Sequence, residues 1–236
     1  MSVEVCTYRV SLRGKTIGGQ TLQTYQDARE VRLGARLELW GSWGEQTIVQ
    51  QSELAYPSLL SRRFSEETHD RGGKRLFEVS FDAEAGLVRA SRGPKDRAEI
   101  PYVRDYQDPL GLLYRLRQLA GPVTKAATGA ASDTTSDIRI PMLGKDVVVE
   151  RRGAASAETM LGEVSAELFV LYPGVSYVYV GVQPPHPIVR MVQRFDHQFL
   201  DVLLVRTEQE EGGLEPTRTR RRQSTRRRRA KRRRAR

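Results

Sequence analysis

Only one stretch of this sequence, Asp105–Pro122 (DYQDPLGLLYRLRQLAGP), carries the spacing of a helix, which restricts the fold more than any other feature. Asp108 is a good N-cap, and Pro109 follows at the first helical position, where its missing N–H leaves nothing unpaired. Gly121 and Pro122 supply a left-handed cap residue and a breaker at the far end. Between them Leu112, Leu113, Leu116, Leu119 and Ala120 recur every three or four residues, giving an apolar stripe over roughly three turns. Arg115, Arg117 and Gln118 fall on the opposite side, the expected solvent face.

Most of the remaining chain alternates with a period of two, the signature of half-buried strands. Cys6, Tyr8, Val10 and Leu12 share one face near the start. The clearest case is 29–40, where Val31, Leu33, Ala35, Leu37 and Leu39 face one way and Glu30, Arg32, Arg36 and Glu38 the other. Turn signals at Gly14-Lys15, Gly72-Gly73, Gly93–Asp96, Leu143-Gly144 and Pro184–Pro187 punctuate the segments. About ten short strands at even spacing predict a curled antiparallel sheet or half-barrel. The expected class is therefore mainly β with one central helix (α+β), the sheet packing on a helix at 109–120. Trp40 and Trp43 flank the turn before Gln46. They either clamp the two strand ends across it, as aromatic cross-strand pairs do, or gate a ligand mouth. The small, polar run from Gly121 to Asp137 is expected to be a surface loop.

Charge divides the chain. The formal net charge is +10, yet from Arg218 onward there are thirteen bases and no acid. Residues 1–217 hold 26 bases against 29 acids, about −3. The organisation expected is a β-rich body at 1–207, an acidic and Gly-containing linker at 208–217, and a disordered tail at 218–236. The tail bases are Arg218, Arg220, Arg221, Arg222, Arg226, Arg227, Arg228, Arg229, Lys231, Arg232, Arg233, Arg234 and Arg236. A guanidinium fork matches phosphate oxygens in a two-bond geometry that an ammonium cannot copy. With no aromatics between them, these residues are expected to grip the backbone of DNA or RNA without reading its sequence.

Catalytic chemistry finds little support. The chain has a single cysteine, Cys6, on the apolar face of the first strand, and three scattered histidines. No ordinary zinc site, Gly-rich phosphate loop or nucleophile elbow can be built from these, so no metal, cofactor or catalytic residue is expected. His69 sits among charges, His186 between prolines, and His197 beside Asp196 in a polar, turn-like pair. No secretory signal and no run of ~18 apolar residues is present, so the expected location is the cytoplasm.

Four segments carry a resemblance. SELAYPSLL (Ser52–Leu60), the Arg75–Asp82 strand, DPLGLLYRLRQL (Asp108–Leu119) and IPMLGKDVVVERR (Ile140–Arg152) occur in an order that resembles the domain-of-unknown-function family numbered 3108. The Asp-Pro-Leu helix start is the most specific match, and the resemblance spans about 4–206, excluding the tail. It implies a fold similar to bacterial lipoprotein carriers, a half-barrel over helices with an apolar groove, and it brings no activity or catalytic residue.

Two function classes compete. In the first, a non-enzymatic body is tethered to nucleic acid by its tail. In the second, the body carries an apolar, lipid-like ligand in a groove bounded by Leu112, Leu116, Leu119, Trp40 and Trp43, while the tail docks on an anionic membrane. Sequence places the nucleic-acid class first. A well-filled interior would exclude the carrier.

Overall fold

The computed structural model describes residues 2–41, 44–120, 137–195 and 198–211. Eight strands precede the helix: β1 (Ser2–Leu12), β2 (Lys15–Gln26), β3 (Glu30–Leu39), β4 (Gln46–Ala55), β5 (Ser61–Asp70), β6 (Gly73–Asp82), β7 (Leu87–Ser91) and β8 (Arg97–Pro101). The helix α1 (Pro109–Leu119) follows. Then come β9 (Ile138–Met142), β10 (Lys145–Thr159), β11 (Gly162–Tyr172), β12 (Ser176–Gly181), β13 (Ile188–Phe195) and β14 (Gln198–Glu211).

All fourteen strands form one antiparallel sheet in the order β8-β7-β6-β5-β4-β3-β2-β1-β14-β13-β12-β11-β10-β9. Every neighbour is the next strand in sequence except at the centre, where β1 pairs with β14. The sheet is not closed: β8 and β9 are its edges, and the chain crosses from one to the other through α1. Both edges carry the proline that only an edge tolerates, Pro101 on β8 and Pro141 on β9. The segment entering α1 partly covers β9, since the Gln107 N–H donates to the Pro141 carbonyl at 2.9 Å.

The expected class holds, but the strand count exceeds the sequence estimate. β8 (RAEIP) was hidden because an exposed edge strand need not alternate; four of its five residues are solvent-facing. β10 runs on to Thr159 through a register shift between Arg151 and Gly153, where Gly153 takes φ +84°. β14 continues to Glu211, paired through to Ser2, so residues 208–211 are strand where the sequence suggests linker. The expected loop after Gly121 and the tail from Arg218 lie outside the described residues.

An up-and-down meander puts alternate turns at opposite ends of the barrel. The β4–β5 and β12–β13 turns share one end with the start of β1 and the finish of β14. The helix lies across that end, because both its termini are anchored there. At its start Asp108 is buried and accepts four hydrogen bonds. Leu110 and Gly111 N–H donate to Oδ1, both at 2.9 Å, and the Ser52 and Ser61 hydroxyls donate to Oδ2 at 2.7 and 2.6 Å. The cap thus binds the helix to β4 and β5. Midway along it Tyr114 Oη donates to Gln26 Oε1 at 2.8 Å, at the end of β2, and near its finish Arg117 is ion-paired with Glu4 at the start of β1.

The helix buries two flanks rather than one stripe. Leu112, Leu116 and Ala120 join a core with β1, β2 and β9–β14. Leu110, Tyr114 and the preceding Tyr106 join a second core with β3–β7. Gly111 sits where the helix presses closest to the sheet; a Cβ there would stand 2.7 Å from Gln107 Oε1 and 3.1 Å from Leu54 Cδ2.

Asp108→Ala removes the cap and leaves two buried hydroxyls without their acceptor. It should cost about 3–5 kcal/mol in urea unfolding. Asp108→Asn, which can still accept from Leu110 and Gly111, should cost less than half of that. Equal losses for the two variants would show that the carboxylate charge, not the cap, matters.

Candidate functional site: a cavity facing away from the helix

Beyond the helix the barrel interior is not filled. A cavity of about 700 Å³ opens among the inner faces of the strands. Its floor is the first turn of α1, Asp108–Leu113, together with Gln107. Its walls are apolar for much of their area, with Leu37 and Ile48 on β3 and β4, Phe64 on β5, Phe77, Val79 and Phe81 on β6, and Val178 on β12. Lys145, Pro173 and Ser176 lie beside the β9–β10 and β11–β12 turns, so the cavity reaches the end opposite the helix. A volume of this size lies within the range of small-molecule sites, about 300–1,000 Å³.

Polar side chains are spread from floor to lip, Gln20, Gln50, Gln193 and Ser176 among them. At the floor, Gln107 is almost fully buried; its Nε2 donates to the Leu59 carbonyl at 2.9 Å, and its Oε1 has no partner. Burial pushes the Asp108 carboxyl above its usual range, against the pull of its four donors. On the wall, Glu66 accepts from Gln50 Nε2 at 2.7 Å. At the lip, the Arg92 guanidinium stands over the Phe77 ring, 5.5 Å from its centroid.

Of the groove residues expected from sequence, Leu112 is on the cavity floor. Leu116 is fully buried in the packed core, and Leu119 is half-buried at its border, so neither lines the cavity. Trp40 is exposed at 45 % and does not line it either, while Trp43 falls outside the described residues. The thirteen tail bases, Arg218 to Arg236, also fall outside them. Sequence reasoning missed the β6 aromatics as cavity walls. They read as ordinary inward positions, and nothing local marks an inward residue that has no packing partner across the barrel.

Arg117 requires a correction. The helical spacing assigns it to solvent, yet it is buried. Its Nη2 is ion-paired with the buried Glu4 carboxylate of β1 and also donates to the Pro185 carbonyl at 2.9 Å. Its Nε donates to the His186 carbonyl at 3.0 Å and its Nη1 to Thr24 Oγ1 at 3.3 Å. The guanidinium also lies 5.8 Å from the Tyr114 ring centroid. It therefore fastens the helix to β1, to β2 and to the β12–β13 turn. Glu4 and Thr24 come from distant strands, so no local pattern exposes the cluster.

Beside this cluster Cys6 is buried, with Sγ 3.4 Å from Glu4 Oε1 and 3.7 Å from Thr207 Oγ1. Burial, reinforced by the Glu4 charge, pushes its thiol up to about 11, which leaves almost no thiolate at neutral pH. His69 contacts Glu67 on the partly exposed face of β5, and His186 Nδ1 lies 3.1 Å from the Gly181 carbonyl. His197 is outside the described residues. Neither described histidine is hydrogen-bonded to a nucleophile. Among the described residues no group of three or more His, Cys, Asp or Glu could hold a metal, and no helix is long and apolar enough to cross a membrane.

Removing Arg117 leaves Glu4 buried without its counter-charge. Arg117→Ala should therefore cost about 3–5 kcal/mol in urea unfolding, comparable with about 2–5 for Leu116→Ala. Gln118→Ala, on the exposed side, should stay within about 0.5 kcal/mol. An Arg117→Ala protein as stable as Gln118→Ala would mean the ion pair is not formed in solution.

Comparison with known proteins agrees with this architecture. The sequence family described as protein of unknown function (DUF3108) matches residues 7–160. A search of curated proteins finds no match. Among solved structures the chain is similar to a β-barrel-like protein of domain of unknown function DUF1849 from Brucella abortus, with a TM-score of 0.57 and 10 % sequence identity. That similarity covers 89 % of this chain and 98 % of the other, and it concerns the fold alone. Neither comparison indicates a catalytic family. The chain belongs to the DUF3108 family.

Proposed function

We propose that this member of the DUF3108 family is a non-enzymatic binding protein whose half-barrel takes an apolar, lipid-like ligand. The observation that carries the reading is the cavity of about 700 Å³, walled by Phe64, Phe77, Val79 and Phe81 and floored by the first turn of the helix. Apolar surface facing a space of that volume is costly to leave in water, and a ligand that covers it recovers the hydrophobic term. At roughly 30 Å³ per water, the space equals about twenty water-sized groups, enough for a chain molecule.

Purified protein should carry extractable lipid, detectable by mass spectrometry. It should also enhance the fluorescence of the neutral probe N-phenyl-1-naphthylamine. Leu37→Trp, which puts an indole into the cavity from β3, should weaken probe binding about tenfold or more while the cooperative urea transition remains. A variant that binds the probe as tightly as the parent would place the probe, and the function, elsewhere.

A second reading rests on the tail, thirteen bases and no acid from Arg218 to Arg236. In it the tail attaches the body to DNA or RNA through phosphate contacts, or alternatively to an anionic membrane. The two readings are compatible in space. The described chain ends at Glu211, at the helix end of the barrel and away from the cavity lip. If about 6–10 arginines seat at once, log K for duplex DNA should fall with log salt at a slope of roughly −5 to −9. A chain ending at Pro216 should lose that binding while unfolding as the full chain does. Retention of affinity by the truncated body would move the nucleic-acid surface onto the sheet.

A further inference from the structure

We propose that the ligand is a single-chain amphiphile with an anionic head, and that Arg92 and Lys145 hold that head at the cavity lip. This deepens the cavity reading and rests on it. The two cations come from opposite sides of the seam in the sheet. Arg92 follows β7 in the turn to β8, and Lys145 opens β10 after the β9–β10 turn. The seam brings these turns together. Arg92, Leu143 and Gly144 line one surface depression, and Arg92, Leu143 and Lys145 line the main cavity.

Neither cation forms an ion pair among the described residues. Several other bases of the body are also without an ion pair, but Arg92 and Lys145 are the two bases among the described residues that line the cavity. Arg92 is also oriented, since its guanidinium rests over Phe77, an aromatic wall of the same cavity. A guanidinium stacked on a ring keeps its donor edge free for an oxyanion.

Three acids face this region, and none is ion-paired with Arg92 or Lys145: Asp96 lines the neighbouring depression beside Arg92, and Asp108 and Glu66 line the cavity. Asp108 is at the floor with four hydrogen bonds of its own. Glu66 is on the wall, paired in register with Phe77 and bonded to Gln50. The resulting order is two unpaired cations at the lip and, deeper in, a wall rich in aromatic and aliphatic side chains. A chain molecule with a carboxylate or phosphate head matches that order when it enters tail first. A neutral lipid would leave both cations unused, and a cationic amphiphile would be repelled by them.

The test is competition against N-phenyl-1-naphthylamine bound to the full-length protein at low salt. The competitors share one chain and differ in head: dodecan-1-ol, dodecanoate and dodecyl phosphate. Both anions should displace the probe at about tenfold lower concentration than the alcohol, and the more potent of the two identifies the head as carboxylate or phosphate. In the Arg92→Gln/Lys145→Gln variant the ratio of anion to alcohol potency should fall to about one. In Glu66→Gln it should grow. Raising salt to about 0.5 M should shrink it, since the lip is exposed to screening.

If the alcohol and the anions compete equally in the parent protein, the headgroup assignment is wrong and the cavity reading stands. The assignment is equally overturned if the double variant keeps the anion advantage, which would put the head on other cations, such as the tail. If neither probe nor alcohol binds, the cavity reading itself fails, and this inference fails with it.

Discussion

The structure depends on how one helix is fastened across an open sheet by buried polar groups. A fourteen-stranded sheet with two free edges has no intrinsic reason to stop curling at one radius. The helix sets it. Asp108 at one end satisfies two helix N–H groups and two hydroxyls, from β4 and β5. Arg117 near the other end reaches Glu4 on β1, Thr24 on β2 and two carbonyls of the β12–β13 turn. Buried charges are costly unless fully partnered, so each anchor tolerates little displacement. Between them they fix the helix relative to strands on both wings.

The cavity follows from the same arrangement. Strands of about ten residues span roughly 33 Å, whereas a helix with its side chains is about 10–12 Å across. A single helix lying across one end can fill only part of that depth. Its two flanks pack well, one into each core, and the residues further along the strands face each other over open space. Filling that space with larger side chains would have been straightforward, since Ala35 on β3 and Ser176 on β12 point to it. The small side chains at those positions leave the space open.

The seam gives the barrel a second feature. Where β8 and β9 fail to pair, the chain places short strands, prolines and charged turns, which discourage edge-to-edge association. The same turns bring Arg92 and Lys145 to the lip. The described chain ends at Glu211, at the other end of the barrel.

The sequence by itself determined the elements that depend on neighbours in the chain. The Asp108 cap with Pro109, the alternation of Val31–Leu39 and the glycine turns are local, and each forms where its residues place it. The Asp-Pro-Leu helix start and its flanking segments also carried the family. Tertiary structure alone decided what depends on distant residues. Arg117 lies on the polar side of the helical wheel, and partners distant in sequence, Glu4 113 positions away first among them, make its burial possible. β8 lacks alternation because edge position, not pattern, holds it in the sheet. The family resemblance implied an apolar groove and Leu112 does lie on it, but the walls of the cavity are not legible in the local pattern. An inward Phe77 or Val79 reads the same whether it meets a packed neighbour or open space, and that difference is fixed only when the helix takes its place at one end of the barrel.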